Sequence, residues 1–175
     1  MGLVADILAT YAGPRRVIRR QLAAGAREDR ALMHLMLGCA LVFIAQWPRL
    51  MRVAAEPGAP PFEALIGGAL LAWLFIAPLG LYLLAGLSHA LARLAGGKGT
   101  AFGARVALFW ALLAAAPLWL VHGLARGYFG AAPVTQALGA IGLGVFLLFW
   151  FLGLIEAEAA EATETAQTAG DATRR

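Results

Sequence analysis

Four long apolar stretches that contain no Asp, Glu, Lys or Arg are the feature that most constrains the fold of this chain. They cover residues 31–47, 65–92, 106–125 and 134–155. A membrane-spanning helix needs about 20 mostly apolar residues, and the last three stretches meet that length. The first is nearer the short limit, but it is uncharged and ends at Trp47, a residue type that anchors helices at the membrane interface. An interfacial or re-entrant helix is the alternative for this first stretch.

The composition agrees with a membrane protein, because 61% of the 175 residues are hydrophobic and only 14% are charged. We therefore predict an all-α fold, a polytopic membrane helical bundle of four transmembrane helices preceded by an amphipathic interfacial helix. The predicted parts are a cytoplasmic N-terminal amphipathic helical segment (1–30), the transmembrane domain (31–155) and a disordered polar cytoplasmic tail (156–175). The helix of the last span is expected to extend a turn or two past residue 155 before the tail frays. Residues 48–64 are predicted to form a Pro-rich outer loop, and Pro78 is predicted to kink the second span.

The basic residues are distributed unevenly around the four stretches. Of the 14 Lys and Arg residues, only Arg49, Arg52 and Arg126 fall in the two connections that face away from the termini. Lys and Arg accumulate in the cytoplasmic loops of membrane proteins. The distribution predicts that both termini lie in the cytoplasm. It also accounts for the pI near 10, so nucleic acid is not an expected partner.

The segment before the first span has an amphipathic pattern. Gly13 and Pro14 interrupt it, and Pro suits the first turn of a new helix. In that second helix an apolar face opposes a basic one, which is typical of a helix in the headgroup layer of anionic lipid. A basic helix packed on a partner protein is the alternative. The lipid-contact candidates are Arg15, Arg16, Arg19, Arg20 and, in a later connection, Lys98.

No catalytic, metal or cofactor-binding residue is predicted. The Gly-rich connection around Lys98 lacks the spacing of a phosphate-binding loop and follows a membrane helix rather than a strand. Ser88 adjoins His89, but neighbouring helical residues do not face each other. The pair His34 and His89 could in principle hold a b-type haem between two helices. Polar residues at helix ends are the alternative interpretation of these histidines, and the one we favour.

The connection between spans two and three carries a resemblance to a known family. Gly96, Gly97, Lys98, Gly99 and Thr100, followed after one residue by Phe102, resemble the Gly-Gly-Lys-Gly-Ser/Thr-aromatic turn of the bacterial Yip (Ypt/Rab-interacting protein) membrane domain family. The basic amphipathic start before the first span is also similar. The resemblance implies a helical bundle with a cytoplasmic N-terminus in the bacterial inner (cytoplasmic) membrane, and it brings no enzymatic residues.

These observations predict a non-enzymatic membrane protein that organises the membrane or acts as a scaffold or accessory subunit of a membrane complex. The expected partners are anionic lipid at the cytoplasmic face and, in addition, other membrane proteins or a second copy of the chain. Charge-free spans disfavour coupled transport, because ionisable groups inside a membrane tend to mark ion or substrate paths. The alternatives are a small-molecule or ion permease and a haem- or quinone-binding accessory subunit.

Overall fold

The structure, a computed structural model, describes residues 2–25, 27–97 and 99–172, with the backbone alone for 160–172. All its regular elements are helices, which confirms the predicted all-α fold. In chain order they are α1 (Leu3–Ala12), α2 (Pro14–Ala23), α3 (Glu28–Ala54), α4 (Phe62–Leu71), a π-helical turn (Ala72–Ile76), α5 (Ala77–Leu94), α6 (Ala101–Phe129) and α7 (Pro133–Ala172).

Four helical segments are long and apolar enough to cross a membrane. They are Glu28–Ala54, Phe62–Leu94, Ala101–Phe129 and Pro133–Ala159. Each contains one of the four stretches found in the sequence and extends beyond it at both ends. The protein is a multi-pass membrane protein.

Helix α6 is the centre of the bundle. In its most apolar window 67% of the residues are buried, against 11% for Phe62–Leu94. Trp110 and Phe109 are completely buried on α6. Helices α3 and α7 pack along α6, and α5 also packs on it. The segment formed by α4 and α5 is thus peripheral, and most of its apolar surface faces outward, as lipid contact requires.

The predicted outer loop begins too early. Helix α3 continues through Pro48 to Ala54, whereas the sequence assigned residues 48–64 to the loop. The last turns of α3 are held by α6: Arg52 donates from Nη1 to the carbonyl oxygens of Gly127 and Tyr128, each at 3.0 Å. Contact with α6 therefore stabilises helix in a segment where Pro48, taken alone, disfavours it.

Two glycines allow α3 and α6 to approach closely. A Cβ atom at Gly123 would collide with the backbone of Ala45, and one at Gly127 would collide with Pro48. These glycines form a GxxxG motif, the spacing at which small residues bring membrane helices together. The predicted third span ended at residue 125, so the motif was divided between span and loop. Because α6 reaches Phe129, both glycines belong to one helical face.

The second span departs from α-helical geometry just before Pro78. Residues Ala72–Ile76 form the π-helical turn, and α5 begins with Pro78 at its second position. Pro has no N–H to continue the α-helical hydrogen bonds and its ring crowds the preceding turn. A π-helical turn is one of the ways in which a helix absorbs such a defect.

One end of the bundle carries most of the charged contacts, and we call it the basic end. There Arg105 at the start of α6 pairs with Glu28 at the start of α3. The end of α5 and the C-terminal part of α7 lie at the same end, together with α1 and α2. Arg52 and the C-terminus of α6 lie at the opposite end. The N-terminal segment and the far part of α7 thus share one end of the bundle.

Candidate functional site at the basic end

Helices α1 and α2 form a hairpin that packs on the bundle rather than lying free of it. Gly13 and Pro14 separate the two helices. Val17 and Ile18 of α2 are 2% and 1% exposed, and α2 packs against α6 and α7. The apolar face of α2, which the sequence assigned to the headgroup layer, is therefore covered by the protein's own helices.

Hydrogen bonds from α6 and to α6 hold α1 in place. Trp110 donates from Nε1 to Thr10 Oγ1 at 3.1 Å, and Thr10 donates in turn to the carbonyl oxygen of Asp6 at 2.8 Å. Tyr11 donates from its hydroxyl to the carbonyl oxygen of Ala114 at 2.9 Å. Burial raises the pKa of Tyr11 above its usual value, so the folded protein favours the neutral phenol that donates this hydrogen bond.

A second apolar face of the hairpin is left uncovered. Val4 and Leu8 on α1 are 70% and 66% exposed, and Tyr11 is partly exposed beside them. Their spacing of four and three residues places them on one side of the helix. The hairpin thus presents a narrow apolar stripe on α1, in addition to the apolar face of α2 that α6 and α7 cover.

The four predicted arginines line one groove on α2, together with Gly13 and Ala23. Arg19 lies 2.9 Å from a carboxylate oxygen of Glu156, and Arg15 lies 3.8 Å from the other. Arg20 pairs with Asp6 at 2.5 Å. Within the described part of the chain Arg16 makes no ion pair. Four guanidinium groups face two carboxylates, so the groove keeps a net positive charge.

The first residues after the predicted last span complete this site, within the turn or two of additional helix that the sequence predicts there. Glu156 is only 6% exposed and Ala157 is 2% exposed, both on α7, and the backbone of α7 stays helical to Ala172. The ion pairs with α2 and the close packing of Ala157 on Gly103 hold this part of the helix. A high content of Ala, Glu and Thr indicated disorder, but it did not exclude a helix that has contacts of this kind.

The turn between α5 and α6 binds a carboxylate of the same chain. Gly99 donates its backbone N–H to Glu158 Oε2 at 2.5 Å. A Cβ atom at Gly97 or Gly99 would overlap that carboxylate group. Gly96 has a φ of +86°, which favours glycine, and Thr100 caps α6 by accepting from Gly103 N at 3.2 Å.

The structure therefore brings most of the predicted site residues to one end and adds two acids that the sequence analysis missed. Lys98 lies outside the described residues. Glu156 and Glu158 are two positions apart, so they point to different sides of α7, one toward α2 and one toward the Gly turn. One signal could have identified them. They come directly after the last apolar span, and four spans place that point on the same side of the membrane as the basic N-terminal segment.

The ring of His34 lies in a closely packed part of the bundle. The ring of His34 packs edge-on against Trp110, with centroids 4.9 Å apart, and the cavity beside it measures only about 10 Å³. His122 lies at the opposite end, with Nδ1 3.0 Å from the carbonyl oxygen of Thr135. Among the described residues no three His, Cys, Asp or Glu side chains cluster as metal ligands do.

Comparison with known proteins gives no relative: no family model, no curated protein and no solved structure matches the chain.

Proposed function

We propose that this protein is a non-enzymatic, membrane-organising protein that gathers anionic lipid around its basic end. The observation that carries the proposal is the α1–α2 hairpin, which is fixed to the bundle and combines an exposed apolar stripe with a groove of arginines. This combination of apolar and basic surfaces is typical of helices that lie in the membrane interface.

The two surfaces suit two layers of a membrane. Val4 and Leu8 would contact acyl chains near the headgroup boundary, where apolar side chains of interfacial helices lie. The arginines of α2 would contact lipid phosphates, each contributing about 1 kcal/mol near an anionic surface. Arg16 is the best placed for this, since no carboxylate in the described part of the chain neutralises it.

The attachment of the hairpin gives the lipid contact a fixed position. Trp110 and Ala114 hold α1, and Glu156 holds α2. A freely hinged amphipathic helix would sample many positions, whereas this one keeps its arginines beside α7. Anionic lipid would therefore collect at one side of the bundle rather than evenly around it.

The wider parts of the proposal rest on the sequence. The excess of Lys and Arg at the basic end supports a cytoplasmic location for that end, and the Gly96–Thr100 turn is the ground for a relationship to the bacterial Yip family and for an inner-membrane location. A role as scaffold or accessory subunit is compatible with this surface. Saturable solute uptake into liposomes that contain the protein would favour the permease alternative instead.

Spin-labelled lipids offer the test. The full chain is reconstituted in vesicles, and the immobilised fraction of labelled phosphatidylglycerol is compared with that of labelled phosphatidylcholine. We expect the wild type to prefer phosphatidylglycerol and Arg16→Gln to lose part of that preference. Val4→Ser combined with Leu8→Ser should lower it further, because the hairpin would lose its contact with the acyl chains.

Arg93→Gln is the matched control, since Arg93 is an exposed arginine at the end of α5, a helix that makes no close backbone contact with α1 or α2 in the described part of the chain. If Arg93→Gln lowers the preference as much as Arg16→Gln, the effect comes from overall charge and the hairpin has no special role. Equal immobilisation of both lipids by the wild type would also defeat the proposal.

A further inference from the structure

A cleft of about 550 Å³ opens between α3, α5, α6 and α7 in the half of the bundle far from the hairpin. It exists because α5 packs on α3 and α6 but makes no close backbone contact with α7 in the described part of the chain. The space between these two helices is left open, and its volume is in the range of small-molecule sites.

The walls of the cleft are apolar. They are formed from all four helices and from the π-helical turn, by Val42, Trp73, Leu81, Leu84, Leu112 and Phe146. Such a surface takes a hydrocarbon chain without loss of any hydrogen bond.

Four polar side chains also line the cleft. Gln46 and Arg49 are three residues apart on α3, and His122 and Arg126 are four apart on α6, so each pair shares one helical face. Arg49 lies five residues before the end of α3 and Arg126 three before the end of α6. These separations correspond to about 5–8 Å along a helix, the depth of a lipid headgroup.

The two arginines lack acidic partners. Within the described residues neither Arg49 nor Arg126 forms an ion pair. Arg52 lies at the same end but differs, because it donates hydrogen bonds to the carbonyl oxygens of Gly127 and Tyr128 near the end of α6. Two unpaired guanidinium groups beside an apolar cleft are complementary to one kind of molecule, an amphiphile with an anionic head.

We infer that the cleft binds one anionic phospholipid from the membrane leaflet at the end opposite the hairpin. One acyl chain occupies the apolar cleft between α5 and α7, and the phosphate contacts Arg49 and Arg126. Gln46 and His122 contact the headgroup beside them. This site is separate from the lipid surface of the hairpin, and either can exist without the other.

Native mass spectrometry of the full chain, titrated with phosphatidylglycerol or phosphatidylcholine in mild detergent, tests the site. We expect one phosphatidylglycerol to bind more tightly than the rest. Replacing Arg49 and Arg126 together by Gln should weaken that binding about a hundredfold, because each charged contact that is lost raises the dissociation constant about tenfold. Arg16→Gln, at the other end, should leave this tight site unchanged.

A second pair of variants tests the cleft independently of charge. Gly80 lines the cleft, and a Cβ atom there meets nothing within 4 Å, so Gly80→Phe should fill the cleft and abolish tight binding. Gly86 is on the same helix, has equally open surroundings and does not line the cleft, which makes Gly86→Phe the control. Equal binding by these two variants, or equal affinity for phosphatidylcholine in the wild type, would overturn the inference.

Discussion

The guanidinium group of Arg19 lies 2.9 Å from the buried carboxylate of Glu156, and 137 residues separate the two along the chain. This contact attaches the N-terminal hairpin to the last span. The partners differ in exposure, because the side chain of Arg19 is 71% exposed and that of Glu156 only 8%. Their replacement should therefore have unequal effects.

Removing the arginines should cost more stability than removing the acid. The double variant Arg15→Gln, Arg19→Gln leaves Glu156 buried without a cation, which we expect to cost about 1–3 kcal/mol. Glu156→Gln leaves two exposed arginines that water can solvate, with an expected cost below about 1 kcal/mol. Thermal unfolding in detergent, followed by tryptophan fluorescence, measures both. Equal losses would contradict the asymmetry.

Gly99→Ala should destabilise the turn between α5 and α6. The new Cβ would overlap the carboxylate of Glu158 and displace it from the Gly99 N–H, at an expected cost of about 1 kcal/mol. Glu158→Ala should cost a similar amount, but the double variant should cost less than the sum, because the overlap is then absent. A double-mutant cycle of unfolding midpoints checks this. Strictly additive effects would show that Glu158 does not occupy the turn.

Gly123→Ala should disrupt the contact between α3 and α6. An added methyl group meets the backbone of Ala45, which cannot move aside as a side chain can, so we expect a loss of about 1–3 kcal/mol or more. Size-exclusion chromatography and thermal unfolding measure the effect. Gly144→Ala is the control, because its Cβ would meet nothing within 4 Å and Ala is the better helix former. The control should unfold at the same temperature as the wild type or higher.

The hairpin should detach at alkaline pH. Since burial raises the pKa of Tyr11 in the folded protein, the folded state holds the phenolic proton more tightly than the unfolded state does. Stability from this group is fully present below the unfolded pKa of about 10 and decreases as the pH rises above it.

Limited proteolysis near the N-terminus, followed from neutral to alkaline pH, measures hairpin detachment. In the wild type we expect the cleavage rate to rise in the alkaline range beyond the rise of the protease's own rate. Tyr11→Phe should remove that additional rise, because no proton is left to lose at this position. The same pH profile in both proteins would exclude Tyr11 as its origin.

The spans could be predicted from the sequence because their cause is local. Absence of charge over the length of a membrane is visible in consecutive residues, and the helices contain all four predicted stretches. The ends of the helices were harder to predict. Pro48 disfavours helix by itself, and it is helical because α6 contacts it.

The basic residues of the site could be predicted from the sequence, but the acidic residues could not. The arginines of α2 were identifiable from their helical spacing, since an amphipathic face is a short-range pattern. Glu156 and Glu158 have no such short-range pattern, because their partners Arg19 and Gly99 are distant in the chain. The arginines of the cleft appeared in the sequence only as isolated basic residues in two different connections. The cleft between α5 and α7 depends on how all four long helices pack, so it cannot be predicted from any single segment of the sequence.

The attachment of α1 and α2 also has a consequence for the order of biogenesis. The ribosome makes the hairpin before α6 and α7, so its binding partners Trp110 and Glu156 follow about 100 and 137 residues after the residues they hold. Until then Arg15 and Arg19 have no acid from α7 beside them, so their full charge is available while the orientation of the first span is decided. Glu156 neutralises them only after the last span exists. The pairing of α2 with Glu156 therefore cannot form before α7 is made, and a chain that stops before α7 keeps only the contacts of the hairpin with α6.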